Sequence, residues 1–192
     1  LHYPLRRQRQ MCIRDRSFYV VLVNMPTFAH TNLGLPLDQV LLVQMFAVAL
    51  MTLVIPFAGA LSDRIGRRPV LMAFTLAFFV MVYPLYVWVA AAPSIERLLV
   101  MQMLLCGAIG GFFGPGPTAL AEQFPIEVRS TGVSVAYNVT VMLFGGFAPL
   151  IVTWLSKVMA TPVAPAFYVL LTSVLSLLGT YCMYDAVRDE KP

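Results

Sequence analysis

The chain has 192 residues, 59% hydrophobic and only 11% charged, with a mean hydropathy of +0.80. Soluble domains carry roughly 25% charged residues and about 45–50% apolar ones; too few charges are present to wet a soluble globule, and the abundance of Leu, Val and Phe excludes disorder. The net charge of +4 would suggest nucleic acid in a soluble protein, but most of it sits in short breaks and tails, the pattern of topology signals in an integral membrane protein, so no nucleic-acid partner is expected.

Apolar runs alternate with polar breaks along the chain: Phe18–Ala29, Val40–Leu61, Val70–Ala92, Leu98–Leu120, Gly132–Leu155 and Ala166–Tyr184. All but the first are long enough to cross about 30 Å of hydrocarbon as helices at 1.5 Å per residue. Helix is required over strand because lipid leaves each segment to satisfy its own backbone, and the alternating ten-residue pattern of a barrel is absent. The expected fold is therefore all-α, a polytopic six-helix bundle. The first run is short and follows Arg14, Asp15 and Arg16 directly, so this helix reads as truncated. Residues 1–16, with the stretch QRQMCIRDR, are expected to be a non-native or truncated amino-terminal segment without a functional role. Cys12, Cys106 and Cys182 are far apart, odd in number and without metal spacing, which fits ordinary small apolar residues.

Lys and Arg predict the orientation. Arg64, Arg67, Arg68, Arg129, Arg188 and Lys191 fall in one set of breaks and the tail, against Arg97 and Lys157 in the alternate set. By the positive-inside rule the first set is cytoplasmic, with both termini inside.

The segment Gly59–Pro69, which includes the break Ser62–Pro69, carries the most specific pattern. Gly66 permits a backbone conformation closed to other residues, and Pro69 suits the first turn of the following helix. Asp63 can face a helix amino terminus, and the arginines can face carbonyl ends or carboxylates. Gly59, Asp63, Arg64, Gly66, Arg67 and Arg68 resemble the G-x-x-x-D-R-x-G-R-R signature loop of the major facilitator superfamily. Glu122 and Arg129 resemble the E-x6-R element that follows the tenth helix in sugar and metabolite porters of that superfamily. With Tyr19, Met25-Pro26-Thr27 and Ala136-Tyr137-Asn138, the chain is most similar to the metabolite–proton symporters, which include proline/betaine, 2-oxoglutarate, citrate and shikimate permeases.

That resemblance runs from Ser17 to about Asp185 and implies the carboxy-terminal half of a transporter, helices seven to twelve, over residues 17–188 with a cytoplasmic tail at 189–192. It implies an amino-terminal six-helix half as partner, a bacterial inner membrane, and alternating access by two rocking bundles carrying a small polar or anionic organic metabolite with protons. The loop residues Gly59, Asp63, Arg64, Gly66, Arg67, Arg68, Glu122 and Arg129 then form a cytoplasmic gate. Asp63 and Arg64 would contact a helix end in the other half, and Arg67 or Arg68 would pair with Glu122.

Polar side chains inside spans are expensive and face a cavity or another helix. Asn24, Thr27 and Thr31 share one helical face of the first span; Gln44 lies in the second, Gln102 in the fourth, and Tyr137, Asn138 and Thr140 in the fifth. The resemblance makes these four spans the cavity lining, with Asn24, Thr27, Gln44, Gln102, Tyr137 and Asn138 as substrate-binding candidates, each with the alternative of interhelical glue. Gly107, Gly110, Gly111 and Gly114 are spaced for close helix contact, and Pro115 and Pro117 weaken the helix after them. No Asp, Glu, Lys or Arg falls mid-span, leaving His30 as the nearby titratable candidate for proton coupling. No phosphate loop or hydrolase motif is present, so neither a cofactor nor an enzyme is expected. The alternatives are a sugar porter of the same superfamily and a non-transporting membrane sensor with the same fold.

Overall fold

The computed structural model describes residues 19–122, 126–140, 142, 146–147, 150–151, 153–155 and 164–181. The expected segment 1–16, the tail 189–192, Arg188, Lys157 and much of the carboxy-terminal part of the fifth predicted span lie outside them. All regular structure among the described residues is helical. A π-helical turn, Tyr19–Asn24, runs into α1, Met25–Leu33; α2 spans Leu37–Ile65, α3 Arg67–Ala91 and α4 Ile95–Phe113. The short α5, Gly116–Ala121, and a 3-10 turn, Ile126–Val128, lead into α6, Arg129–Thr140, and α7 is Ala164–Tyr181. Among the described residues α2, α3 and the stretch Ile95–Ala121 are long and apolar enough to cross a membrane.

The boundaries differ from the apolar runs in informative ways. The first helix continues past Ala29 to Leu33, through His30, Thr31 and Asn32, because polar residues at a span's end do not break a helical backbone. It stops where Gly34 adopts a left-handed conformation (φ 68°), with the Leu35 N–H returning to the Ala29 carbonyl. His30 Nδ1 lies 3.0 Å from the Leu35 carbonyl, a side-chain donor for the same turn. The arginine-rich break is itself almost wholly helical: α2 runs to Ile65, α3 begins at Arg67, and Gly66 is the single residue between them. The fourth predicted span is two helices, α4 and α5, separated at Gly114–Pro115 where the proline removes a backbone donor. On the opposite side of the bundle, Ser94 caps α4 by accepting the Arg97 N–H at 3.2 Å.

The fourth span is the central member. Of its most apolar window 61% is buried, against 22% for α2 and 33% for α3. Leu98, Met101, Leu105 and Cys106 of α4 meet Val40, Val43 and Ala47 of α2, Phe78, Val82 and Tyr86 of α3, and Val21, Met25 and Phe28 of the first helix in one core. Phe57, Leu53 and Met45 of α2 remain 75%, 63% and 58% exposed, which lipid tolerates and water does not. Since lipid tails are as apolar as leucine, helix association here rests on tight packing and polar contacts. The glycines of α4 supply the packing: a Cβ at Gly110 would stand 2.8 Å from the Met51 carbonyl oxygen, and one at Gly114 would stand 2.6 Å from that of Ile55. At Gly111 a Cβ would overlap the Phe74 ring of α3. α7 packs on α3, with Tyr83 and Phe167 edge-to-face at 6.0 Å. Its buried hydroxyls at Thr172, Ser173 and Thr180 bond back to carbonyls of their own helix.

Candidate functional site

The first site is the hairpin at the α2–α3 junction. Gly66 has φ 110° and ψ 149°, a region essentially confined to glycine, and this permits the chain to leave one long helix and enter the next within one residue. Its N–H donates to the Ser62 carbonyl at 2.9 Å, and the buried Ser62 hydroxyl donates to the Gly59 carbonyl at 2.7 Å. Pro69 sits in the first turn of α3, where its missing N–H removes a donor that has no intrahelical acceptor. Gly59 lies against α4–α5: a Cβ at Gly114 would stand 2.7 Å from the Gly59 nitrogen. The signature glycine and the Gly114 break are thus the two halves of one close helix crossing.

That crossing sets the charges. Arg67 is mostly enclosed, with 14% of its side chain exposed, and bridges two carboxylates. Its Nε donates to Glu122 Oε1 at 2.8 Å, and a terminal nitrogen donates to Asp63 Oδ1 at 3.3 Å. Glu122 follows α5, with its own N–H on the Thr118 carbonyl. The Arg67–Glu122 contact therefore ties the start of α3 to the far end of the broken fourth span, 55 residues away in sequence. Asp63 is 66% exposed beside it. Arg64 is exposed, whereas Arg68 and Arg129 are half-buried and engaged with neighbours.

The second site lies between the long apolar helices α2 and α4. Gln102 of α4 is 1% exposed; its Nε2 donates to Gln44 Oε1 of α2 and, at 3.3 Å, to the Val21 carbonyl of the π-helical turn. Two of the substrate-binding candidates are thus brought together, in a cluster that includes a backbone carbonyl no side-chain pattern could have indicated. Asn24 is half-buried, and Thr27 and Thr31 are exposed on the same helix, the Thr31 hydroxyl donating to the Thr27 carbonyl at 2.7 Å. Tyr137 and Asn138 occupy exposed positions on α6, and Asn138 Nδ2 turns back to the Ser134 carbonyl at 2.8 Å. On the other face of the bundle from the hairpin, the Arg97 guanidinium stacks 5.1 Å from the Trp88 ring and donates to the Trp88 carbonyl. This pair was legible only as a lone arginine in the sequence, because the α3–α4 turn is what brings it to the indole.

The sequence profile of the Major Facilitator Superfamily matches residues 12–192. Among characterised proteins, the citrate-proton symporter of Klebsiella pneumoniae is 35% identical over 168 residues, covering 88% of this chain and 38% of that protein. The inner membrane metabolite transport protein YhjE of Escherichia coli is 38% identical over 144 residues (72% of this chain, 32% of that protein). The proline/betaine transporter of the same organism is 28% identical over 173 residues (90% and 34%). The chain thus spans less than two-fifths of the length of these relatives. With the profile covering nearly all of its length and the signature glycines and charges meeting at one helix crossing, this multi-pass membrane chain belongs to the Major Facilitator Superfamily.

Proposed function

We propose that this chain is the carboxy-terminal half, helices seven to twelve, of a bacterial inner-membrane porter that moves a small polar or anionic organic metabolite together with protons. The observation that carries the reading is the Arg67 bridge between Asp63 and Glu122, a charge cluster that joins the hairpin to the end of the fourth span. Transport by alternating access needs a contact that exists in one state and breaks in the other, biasing the equilibrium by about 1–3 kcal/mol. A partly buried guanidinium holding two carboxylates at the junction of three helices has that strength and that position. The positive-inside bias supports a position for the cluster at the cytoplasmic mouth, with both termini inside. The exposed Asp63 and Arg64 then face a helix end of the amino-terminal half, and Arg67 with Glu122 closes the gate when the protein faces outward. The names of the relatives, citrate-proton symporter and proline/betaine transporter, support an organic anion or zwitterion as cargo and protons as the coupling ion.

The test is uptake by cells expressing the full-length protein that carries this chain. Accumulation of radiolabelled citrate, proline or betaine that collapses with an uncoupler is the expected result. Asp63→Asn should cut the initial rate severalfold at unchanged membrane abundance. Normal kinetics in that variant would remove the gate from the reading. A correctly inserted protein that accumulates sugars and none of the organic acids or zwitterions would favour the sugar porter, and one that accumulates nothing would favour the sensor.

A further inference from the structure

Among the described residues Gln102 is the largest fully enclosed polar side chain, and its hydrogen bonding is lopsided. Both neighbours of its Nε2, the Val21 carbonyl and Gln44 Oε1, are acceptors, while its Oε1 is buried without a donor. The partners decide the amide's orientation, since rotating it would set Oε1 against the Val21 carbonyl oxygen. An orphaned acceptor is costly in a water-free interior. A simple α2–α4 tether would need only one of these bonds. The second one reaches the turn Tyr19–Asn24, which is π-helical.

A π turn is a rare local insertion in a helix and recurs at functional positions. It carries one residue more than the α-helical path, so converting it to α-helix turns the residues before it by about 100° relative to those after it. In the structure Val21 and Leu22 point into the core at 0% and 8% exposure, while Asn24 and Thr27 follow directly on the outer side of the turn. The state of the turn therefore decides which face Asn24 and Thr27 present when Val21 is held in the core.

We propose that Gln102 is a positioning residue for transport: its amide pins the π turn through the Val21 carbonyl and thereby sets the presentation of Asn24 and Thr27, with Gln44 holding the amide in register. The amide is thus a catch on the first helix. The role in transport rests on the porter reading above; the hold on the turn does not.

The experiment uses the full-length protein, in lipid nanodiscs for spectroscopy and in sealed proteoliposomes for uptake, unmodified and as Gln102→Met and Gln44→Met, methionine matching the amide in length. Backbone chemical shifts of Val21–Met25 read the turn, and uptake kinetics of the protein's transported metabolite, identified among citrate, proline and betaine, read its consequence. In Gln102→Met the shifts should move to α-helical values and KM should rise about tenfold with Vmax little changed, the loss of about one hydrogen bond's worth of binding. Gln44→Met should keep the π-turn shifts, because the Val21 bond remains. Unmoved shifts in Gln102→Met, or moved shifts with an unchanged KM, would overturn the proposal. Should Gln102→Met fail to insert, the unmodified protein decides: its 15N-labelled Gln102 side-chain amide must resist exchange with D2O, and rapid exchange refutes the catch. Absence of uptake by the unmodified protein would strike the porter reading and the transport role, while the shifts still judge the hold on the turn.

Discussion

Replacing single glycines of α4 by alanine should separate close packing from mere helix composition. At Gly114 an added Cβ would meet the Ile55 carbonyl oxygen at 2.6 Å, the Gly59 nitrogen at 2.7 Å and the Ala58 Cβ at 3.0 Å. Favourable contact between carbon atoms begins near 3.5 Å, so α2 and the α4–α5 break must part by roughly 1 Å. Two of the three obstacles are backbone and cannot rotate away. Overpacking of this kind costs about 1–3 kcal/mol, and the better helix propensity of alanine returns at most about 1 kcal/mol. At Gly107 the nearest atom to the added methyl is the Leu50 Cδ2 at 4.0 Å, an ordinary contact. Gly107→Ala should therefore be neutral or stabilising by up to about 1 kcal/mol, leaving a gap of about 2 kcal/mol between two chemically identical substitutions about two helical turns apart. Reversible unfolding in mixed micelles, followed by circular dichroism, measures the gap. Equal stabilities for Gly107→Ala and Gly114→Ala would refute the claim that the glycines act by letting backbones touch.

Three further outcomes follow from the hairpin and the core. A double-mutant cycle on Arg67 and Glu122 should give a coupling of about 1.5–3 kcal/mol, as for a partly enclosed charge-assisted bond, whereas the cycle on Arg67 and the exposed Asp63 should give less than about 1 kcal/mol; unfolding midpoints of the four variants check each. Gly66→Ala places a side chain at φ 110° and should cost about 1–3 kcal/mol, read as a lowered melting temperature with no compensating change at Pro69→Ala. Thr75→Val removes a buried hydroxyl that donates to the Leu71 carbonyl of its own helix at 2.6 Å, and the loss should be about 0.6 kcal/mol, measurable in the same assay.

Much of this architecture could be read from residue order because lipid imposes strict rules. The apolar runs from Val40, Val70 and Leu98 had to be helices, and they became α2, α3 and the pair α4 and α5. Glycine at 66 and proline at 69 marked the helix junction through backbone conformation alone, a local property. The glycine spacing of the fourth span likewise announced a close crossing, though not which helix would fill it. Where local rules end, the apolar runs misled: the helix past Ala29 and the helical course of Ser62–Ile65 are carried by backbone bonds that hydropathy does not register.

The remaining features needed the tertiary structure because each joins distant parts of the chain. Nothing in the spacing of Gln44 and Gln102 distinguishes two cavity-facing amides from a bonded pair, and only the packing of α4 between its neighbours brought them together. The Val21 carbonyl is invisible in sequence, since every residue has one; the π turn and its contact with Gln102 arise from the fold. Of the arginines in the hairpin, only the three-dimensional path of the broken fourth span selects Arg67 to receive Glu122. Composition and local backbone chemistry thus determined what kind of object the chain is, while the pairing of its few polar groups was decided by which helices came close enough to exclude everything else.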